Sequence, residues 1–189
     1  IGVRLVGSEM CIRDRTGTRL GILGMGRIGQ KIGKVAKSLG MVIHYHNRSK
    51  LDSGKENGAI YHKTLESLMS VSDVLSVCCP ASKETINLIN KKTISLLPNG
   101  AIVTNVARGD IVDDDALIEA LDSKKVSAVG LDVYKNEPKL NPGYLKHSRA
   151  FVLPHLGSAT FETRTAMANL AIDNISEFFE TGSCKNKVN

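Results

Sequence analysis

At 189 residues, with 42% hydrophobic and 4% aromatic residues, the chain has room for one full core, or for one domain and part of another. The net charge of +6 raises nucleic acid as a partner, but the Lys and Arg are scattered without interleaved aromatics; the charge suits anionic cofactors and small acids better. No apolar run approaches the roughly 20 residues of a membrane span, and no secretory pattern is present, so no membrane and a cytoplasmic location are expected.

Residues 1–15, IGVRLVGSEMCIRDR, fit nothing downstream and read as an extraneous or disordered lead, of the kind left by adapter read-through. From Thr16 a regular alternation begins. Apolar, strand-like runs lie at 19–23, 41–46, 73–79, 101–106, 128–133 and 151–153, and helical patterns at 28–39, 64–71, 85–97 and 113–121. Strands apolar nearly throughout are buried on both faces, and strand–helix alternation predicts an α/β fold: a doubly wound parallel sheet with right-handed crossovers. A longer helical pattern, 159–181, closes the chain. Thr160 or Ser158 is its expected cap, Glu162 falls in its first turn and Gly182 is its stop. Cys11, Cys78, Cys79 and Cys184 form no C-x-x-C pair; they read as reduced thiols, two of them core filler, and no metal is expected.

The first strand runs into Gly24-Met25-Gly26-Arg27-Ile28-Gly29 and then a helix. In a G-x-G-x-x-G of this order, Gly24 makes the tight turn, Gly26 admits a pyrophosphate and Gly29 permits close helix–strand packing. The helix start offers free N–H groups and a positive dipole end. Residues 16–158 are therefore expected to form a dinucleotide-binding domain, with 159–189 as a returning C-terminal helix. NAD binders place an acid about 20 residues past the glycines to hold the ribose 2′-OH. Here Asn47, Arg48 and Ser49 stand at that strand end, with Asp52 only in the following loop. This predicts NADP(H) as the preferred cofactor, with NAD(H) also accommodated. A solvated basic turn is the plainer alternative.

Three further segments follow strand candidates: Asn105–Asp113, Gly130–Pro138 and Pro154–Thr160. Loops beyond the strand C-termini of a doubly wound sheet line one crevice, so Arg108, Glu137 and His155 can converge there. Singly, each has an ordinary reading as surface charge, loop carboxylate or structural histidine. Together they supply what hydride transfer to a keto acid needs: a cation for the carboxylate, a proton donor for the carbonyl oxygen, and a partner to tune that donor.

The motifs G-M-G-R-I-G-Q, N-V-A-R-G-D-I-V-D, G-L-D-V-Y-x-x-E-P and P-H-L-G-S-A-T, in this order, resemble the D-isomer-specific 2-hydroxyacid dehydrogenases from about Thr16 to about Phe179. The segments C-P-A-S-K-E-T-I-N-L-I-N and G-S-A-T-F-E-T-R-T-A-M-A-N-L-A are most similar to the glyoxylate/hydroxypyruvate reductase branch. The resemblance implies that Arg108 orients the substrate carboxylate and that His155 is the acid in reduction. It implies that Glu137 bonds His155 and raises its pKa. Asp132 is implied at the nicotinamide, with Pro80, Thr85, Val106, Ala107 and Gly157 along the cofactor channel. A homodimer is implied as well. The substrate domain is largely missing from the sequence, so the chain is expected to bind dinucleotide but to turn over poorly. Other readings are a dinucleotide-sensing corepressor-like module, or a dehydrogenase for phosphoglycerate, D-lactate or another 2-hydroxy acid.

Overall fold

The computed structural model describes residues 15–187, so residues 1–14, including Cys11 and nearly all of the predicted lead, lie outside the described residues. The chain divides into two compact units, Ile1–Pro154 and His155–Asn189.

The first unit is built on a sheet of β1 (Arg19–Leu23), β2 (Val42–His46), β3 (Ile60–His62), β4 (Val74–Val77), β5 (Ala101–Asn105), β6 (Val126–Leu131) and β7 (Ala150–Val152). All pairings are parallel, and the spatial order is β3-β2-β1-β4-β5-β6-β7. The chain works outward on one side from β1, then returns to start the other side at β4. Helices α1 (Arg27–Ser38), α2 (Ser53–Glu56), α3 (Leu65–Met69), α4 (Lys91–Ser95), α5 (Asp114–Asp122) and α6 (Pro142–Leu145) form the connections. This is the doubly wound parallel architecture that the alternation predicts.

Burial on both faces explains the apolar strands. Ile22, Tyr45, Leu75, Val77, Val103 and Val126 are fully buried. One core cluster joins β1 and β2 to α1 through Leu20, Ile22, Met25, Ala36, Ile43 and Tyr45. The larger one packs β4–β6 against α3–α5 through residues such as Leu68, Leu75, Ile94, Leu117 and Leu121.

The sequence pattern misses β3, α2 and α6. β3 is a three-residue edge strand, Ile-Tyr-His, with no buried position, so it carries no apolar run. The predicted helix 85–97 shrinks to Lys91–Ser95. Asn87 takes a left-handed backbone, and its N–H donates to the Asp110 carbonyl, while Ile89 N–H donates to Ile111 O. Asn90 then caps α4 by accepting from the N–H groups of Lys92 and Thr93. A pairing with a distant loop thus overrides the local helical period.

The second unit contains α7 (Phe161–Thr181). Thr160 caps it by accepting from Thr163 N–H, and Gly182 ends it in the left-handed region, as its sequence predicts. None of its residues is buried.

Candidate active site

Register places Leu23, His46, Val77, Asn105, Leu131 and Val152 in one row across six strands. The loops leaving this row emerge from one edge of the sheet. Backbone bonds continue past the strand ends and tie those loops together. Gly24 N–H donates to His46 O at 3.0 Å, Cys78 N–H to Leu23 O at 2.8 Å, and Asp132 N–H to Asn105 O at 3.0 Å. β1 and β4 are neighbours whose connections leave in opposite directions, the switch point beside which doubly wound sheets bind their ligands.

The three glycines of the β1–α1 turn have different surroundings. Gly24 has φ +97, and a Cβ there would stand 2.5 Å from Cys79 N. A Cβ on Gly29 would stand 2.5 Å from the Gly24 carbonyl. Around a Cβ on Gly26 no described residue comes within 4 Å, its chain neighbours aside. Gly24 and Gly29 are therefore demanded by packing, whereas Gly26 faces open space and leaves room for a ligand to approach the backbone. The first bond at the start of α1 joins Gln30 N–H to Gly26 O. No side chain caps this end, and no acid lies in its first turn. Its leading N–H groups are left for an anion. Arg27 and Ile28 are exposed beside it. These features fit the pyrophosphate of a dinucleotide.

Asn47 braces this turn, its Oδ1 accepting from Met25 N–H at 2.7 Å. Arg48 and Ser49 are exposed at the end of β2. The Glu84 carboxyl lies below its usual range, first because the Ser82 hydroxyl donates to it, with the Arg48 charge adding to the effect. Thr85 is half-buried and folds its loop: its hydroxyl donates to Pro80 O at 3.0 Å and accepts from Ser82 N–H at 2.7 Å. Pro80 is exposed.

Beyond β5, Val106 and Arg108 are exposed while Ala107 between them is buried. Asn105, 1% exposed, clamps this turn. Its Oδ1 accepts from Ala107 N–H at 3.0 Å, and its amide donates to Arg108 O at 2.9 Å. Arg108 Nη1 donates to Ala107 O at 2.6 Å. A Cβ on Gly109 would lie 2.0 Å from the Tyr134 carbonyl carbon, so the loops after β5 and β6 are pressed together at this glycine. Tyr134 N–H in turn donates to Glu137 Oε1 at 3.1 Å. Arg108 and Glu137 thus lie on two loops in direct backbone contact, and half-buried Asp132 starts the second. His155 and Gly157 belong to the second unit; both are exposed, and His155 has φ +55. A left-handed backbone at a non-glycine residue costs energy and occurs disproportionately at functional sites.

Sequence reasoning passed over Asn105, Glu84 and the backbone of Tyr134. For Asn105 a signal existed, because a polar residue ending an apolar strand needs buried partners. Nothing local marks the other two. Among the described residues no group of His, Cys, Asp and Glu could hold a metal ion, and no helix is long and apolar enough to cross a membrane. Cys78 is half-buried and Cys79 buried; burial pushes the Cys79 thiol up to about 11.

Residues 5–157 match the family model described as D-isomer specific 2-hydroxyacid dehydrogenase, NAD binding domain. A glyoxylate reductase from Aeropyrum pernix is 43% identical over 176 residues, 92% of this chain and 52% of the relative. The crystal structure of a glyoxylate reductase from Paecilomyes thermophila superposes with a TM-score of 0.87 at 42% identity, covering 93% of this chain and 53% of that one. An NADPH-dependent glyoxylate/hydroxypyruvate reductase from Sinorhizobium meliloti, crystallised with NADP and malonate, gives 0.85 at 35% identity, covering 89% and 52%. The chain spans about half the length of these relatives. The match, the parallel sheet and the glycine turn lead to one conclusion: this chain belongs to the D-isomer-specific 2-hydroxyacid dehydrogenases and carries their NAD-binding domain.

Proposed function

We propose that the complete protein reduces a small 2-keto acid, glyoxylate or hydroxypyruvate, to its D-2-hydroxy acid with NADPH. The observation that carries this reading is the row of strand ends, which places the glycine turn, the Arg48 turn and the loops of Arg108 and Glu137 on one edge of the sheet. Bound in the crevice, the dinucleotide supplies the hydride. Gly24, Gly26, Arg27, Ile28 and Gly29 hold its pyrophosphate, and Arg48 and Ser49 hold a 2′-phosphate. Asn47 keeps the glycine turn in place. Pro80, Thr85, Val106, Ala107, Asp132 and Gly157 line the channel. Arg108 orients the substrate carboxylate and His155 delivers a proton to the keto oxygen, with Glu137 as the third residue of the catalytic set. Residues 16–158 carry cofactor binding, turnover requires the remaining half of the relatives' length, and the active form is a homodimer. The similarity to reductases for glyoxylate supports the substrate class.

In the complete protein, His155→Ala lowers kcat for glyoxylate by about 100-fold or more, as loss of a general acid does, and leaves NADPH affinity unchanged. Near-normal turnover removes His155 from the reaction.

A further inference from the structure

The cations that look scattered in sequence are not scattered on α1. Arg27, Lys31, Lys34 and Lys37 follow one another at helical spacing, and all four line one groove with Lys55 of α2. The groove runs between α1 and the α2 segment and has a volume of about 570 Å³. Its length along α1, ten residues from Arg27 to Lys37, is about 15 Å. Among the described residues Glu56 is its one carboxylate. That group is engaged already, accepting from the Tyr45 hydroxyl at 2.6 Å and facing Lys50 at 3.7 Å. Lys37 donates to the Asn57 carbonyl and so fixes the far wall, while Lys55 leans on Asp52 at 3.3 Å. Arg27, Lys31 and Lys34 have no carboxylate partner among the described residues. The sequence of α1, RIGQKIGKVAKS, contains no acid at all. Like charges three and four residues apart repel, so this face is unfavourable until an anion covers it.

The lining also selects among anions. Among the described residues it contains no aromatic, so bases have nothing there to stack on and a single-stranded nucleic acid is disfavoured. Beyond Arg27 every cation is a lysine, a flexible point charge. Such heads suit phosphate oxygens, whereas planar carboxylates are held best by the arginine fork.

We propose that the α1–α2 groove is a second anion site, which meets the dinucleotide cradle only at Arg27 and takes a linear inorganic polyphosphate through the lysines beyond it, Lys31, Lys34, Lys37 and Lys55. Calorimetric titration of the chain with tripolyphosphate, and with a longer polyphosphate, tests this with and without saturating NADPH. Saturable binding is expected in both conditions, tighter for the longer chain. In Lys31→Glu/Lys34→Glu it weakens by about tenfold or more, while melting temperature and NADPH affinity are unchanged. Lys92→Glu/Lys146→Glu changes net charge equally on exposed residues elsewhere and is expected to bind like the wild type. Equal weakening in both double variants overturns the proposal, as does loss of binding when NADPH is present. Absence of saturable binding, or equal binding of oligo-dT or polyglutamate, overturns it too.

Discussion

In the proposed reading, Arg48 is the residue on which cofactor choice turns. It stands exposed at the end of β2, where the sequence offers no acid for a ribose hydroxyl. Its charge reaches the Glu84 carboxylate, which competes with a phosphate for it. Charge-assisted hydrogen bonds contribute about 1.5–3 kcal/mol, so Arg48→Ala raises the Kd for NADPH by roughly 10- to 150-fold and leaves that for NADH nearly unchanged. Equal affinity changes for both cofactors contradict the assignment. Gly109 is the residue at which the Arg108 and Glu137 loops are pressed together. A methyl there meets Tyr134 backbone at 2.0 Å and cannot be accommodated without moving one loop. Gly109→Ala is expected to destabilise by about 1–3 kcal/mol, as overpacking does, and to cut kcat/KM in the complete protein. Unchanged stability and unchanged turnover together contradict that packing argument.

Among the elements, β2 and β3 carry a pH dependence. His44 Nδ1 and His62 Nε2 lie 2.8 Å apart, and His62 Nδ1 meets the Ser67 hydroxyl at 2.7 Å. His46 Nδ1–H donates to the His62 carbonyl. Arg19 and Asp73 face His44 from β1 and the start of β4. Desolvation lowers the pKa of both paired imidazoles, and neighbouring positive charge lowers it further, through His62 and Arg19 at His44 and through His46 at His62. The folded chain then binds fewer protons than the unfolded one. Stability is full above the ordinary histidine value of about 6.5 and falls as pH drops below it. Urea midpoints measured at pH 7.5 and pH 5.5 are expected to fall on acidification in the wild type, and less in His44→Gln/His62→Gln. An equal fall in both contradicts the imidazole pair as the cause. Element by element, legibility followed the strength of local signals. The central strands were readable because apolar residues dominate them and are buried on both faces. β3 was not, because an edge strand of three half-exposed residues has no period to detect. The helix predicted at 85–97 failed because the pairing of Ile89 with Val112 lies outside any local window.

For the molecule as a whole, the candidate site was legible wherever a motif states a steric requirement. The glycines of the β1–α1 turn announced a cradle, and the structure separates their tasks. The Arg108 and Glu137 loops were readable as strand-end segments, but their direct contact through Gly109 and Tyr134 is a tertiary fact. The clamp by Asn105 is tertiary as well. The cationic groove needed the fold too, since sequence spacing alone does not bring α2 beside α1.

The central claim is that the edge defined by Gly26 and the start of α1 is a dinucleotide site. It is tested most directly by calorimetric titration of NADPH into the wild-type chain and Gly26→Val. Gly26 has φ −80 and open space around it, so the variant keeps the fold, with at most the small loss of an N-cap change. Wild-type binding with a loss of about 100-fold or more in the variant is the predicted result, an effect of ~2.7 kcal/mol. Equal NADPH affinity in the two proteins contradicts the account.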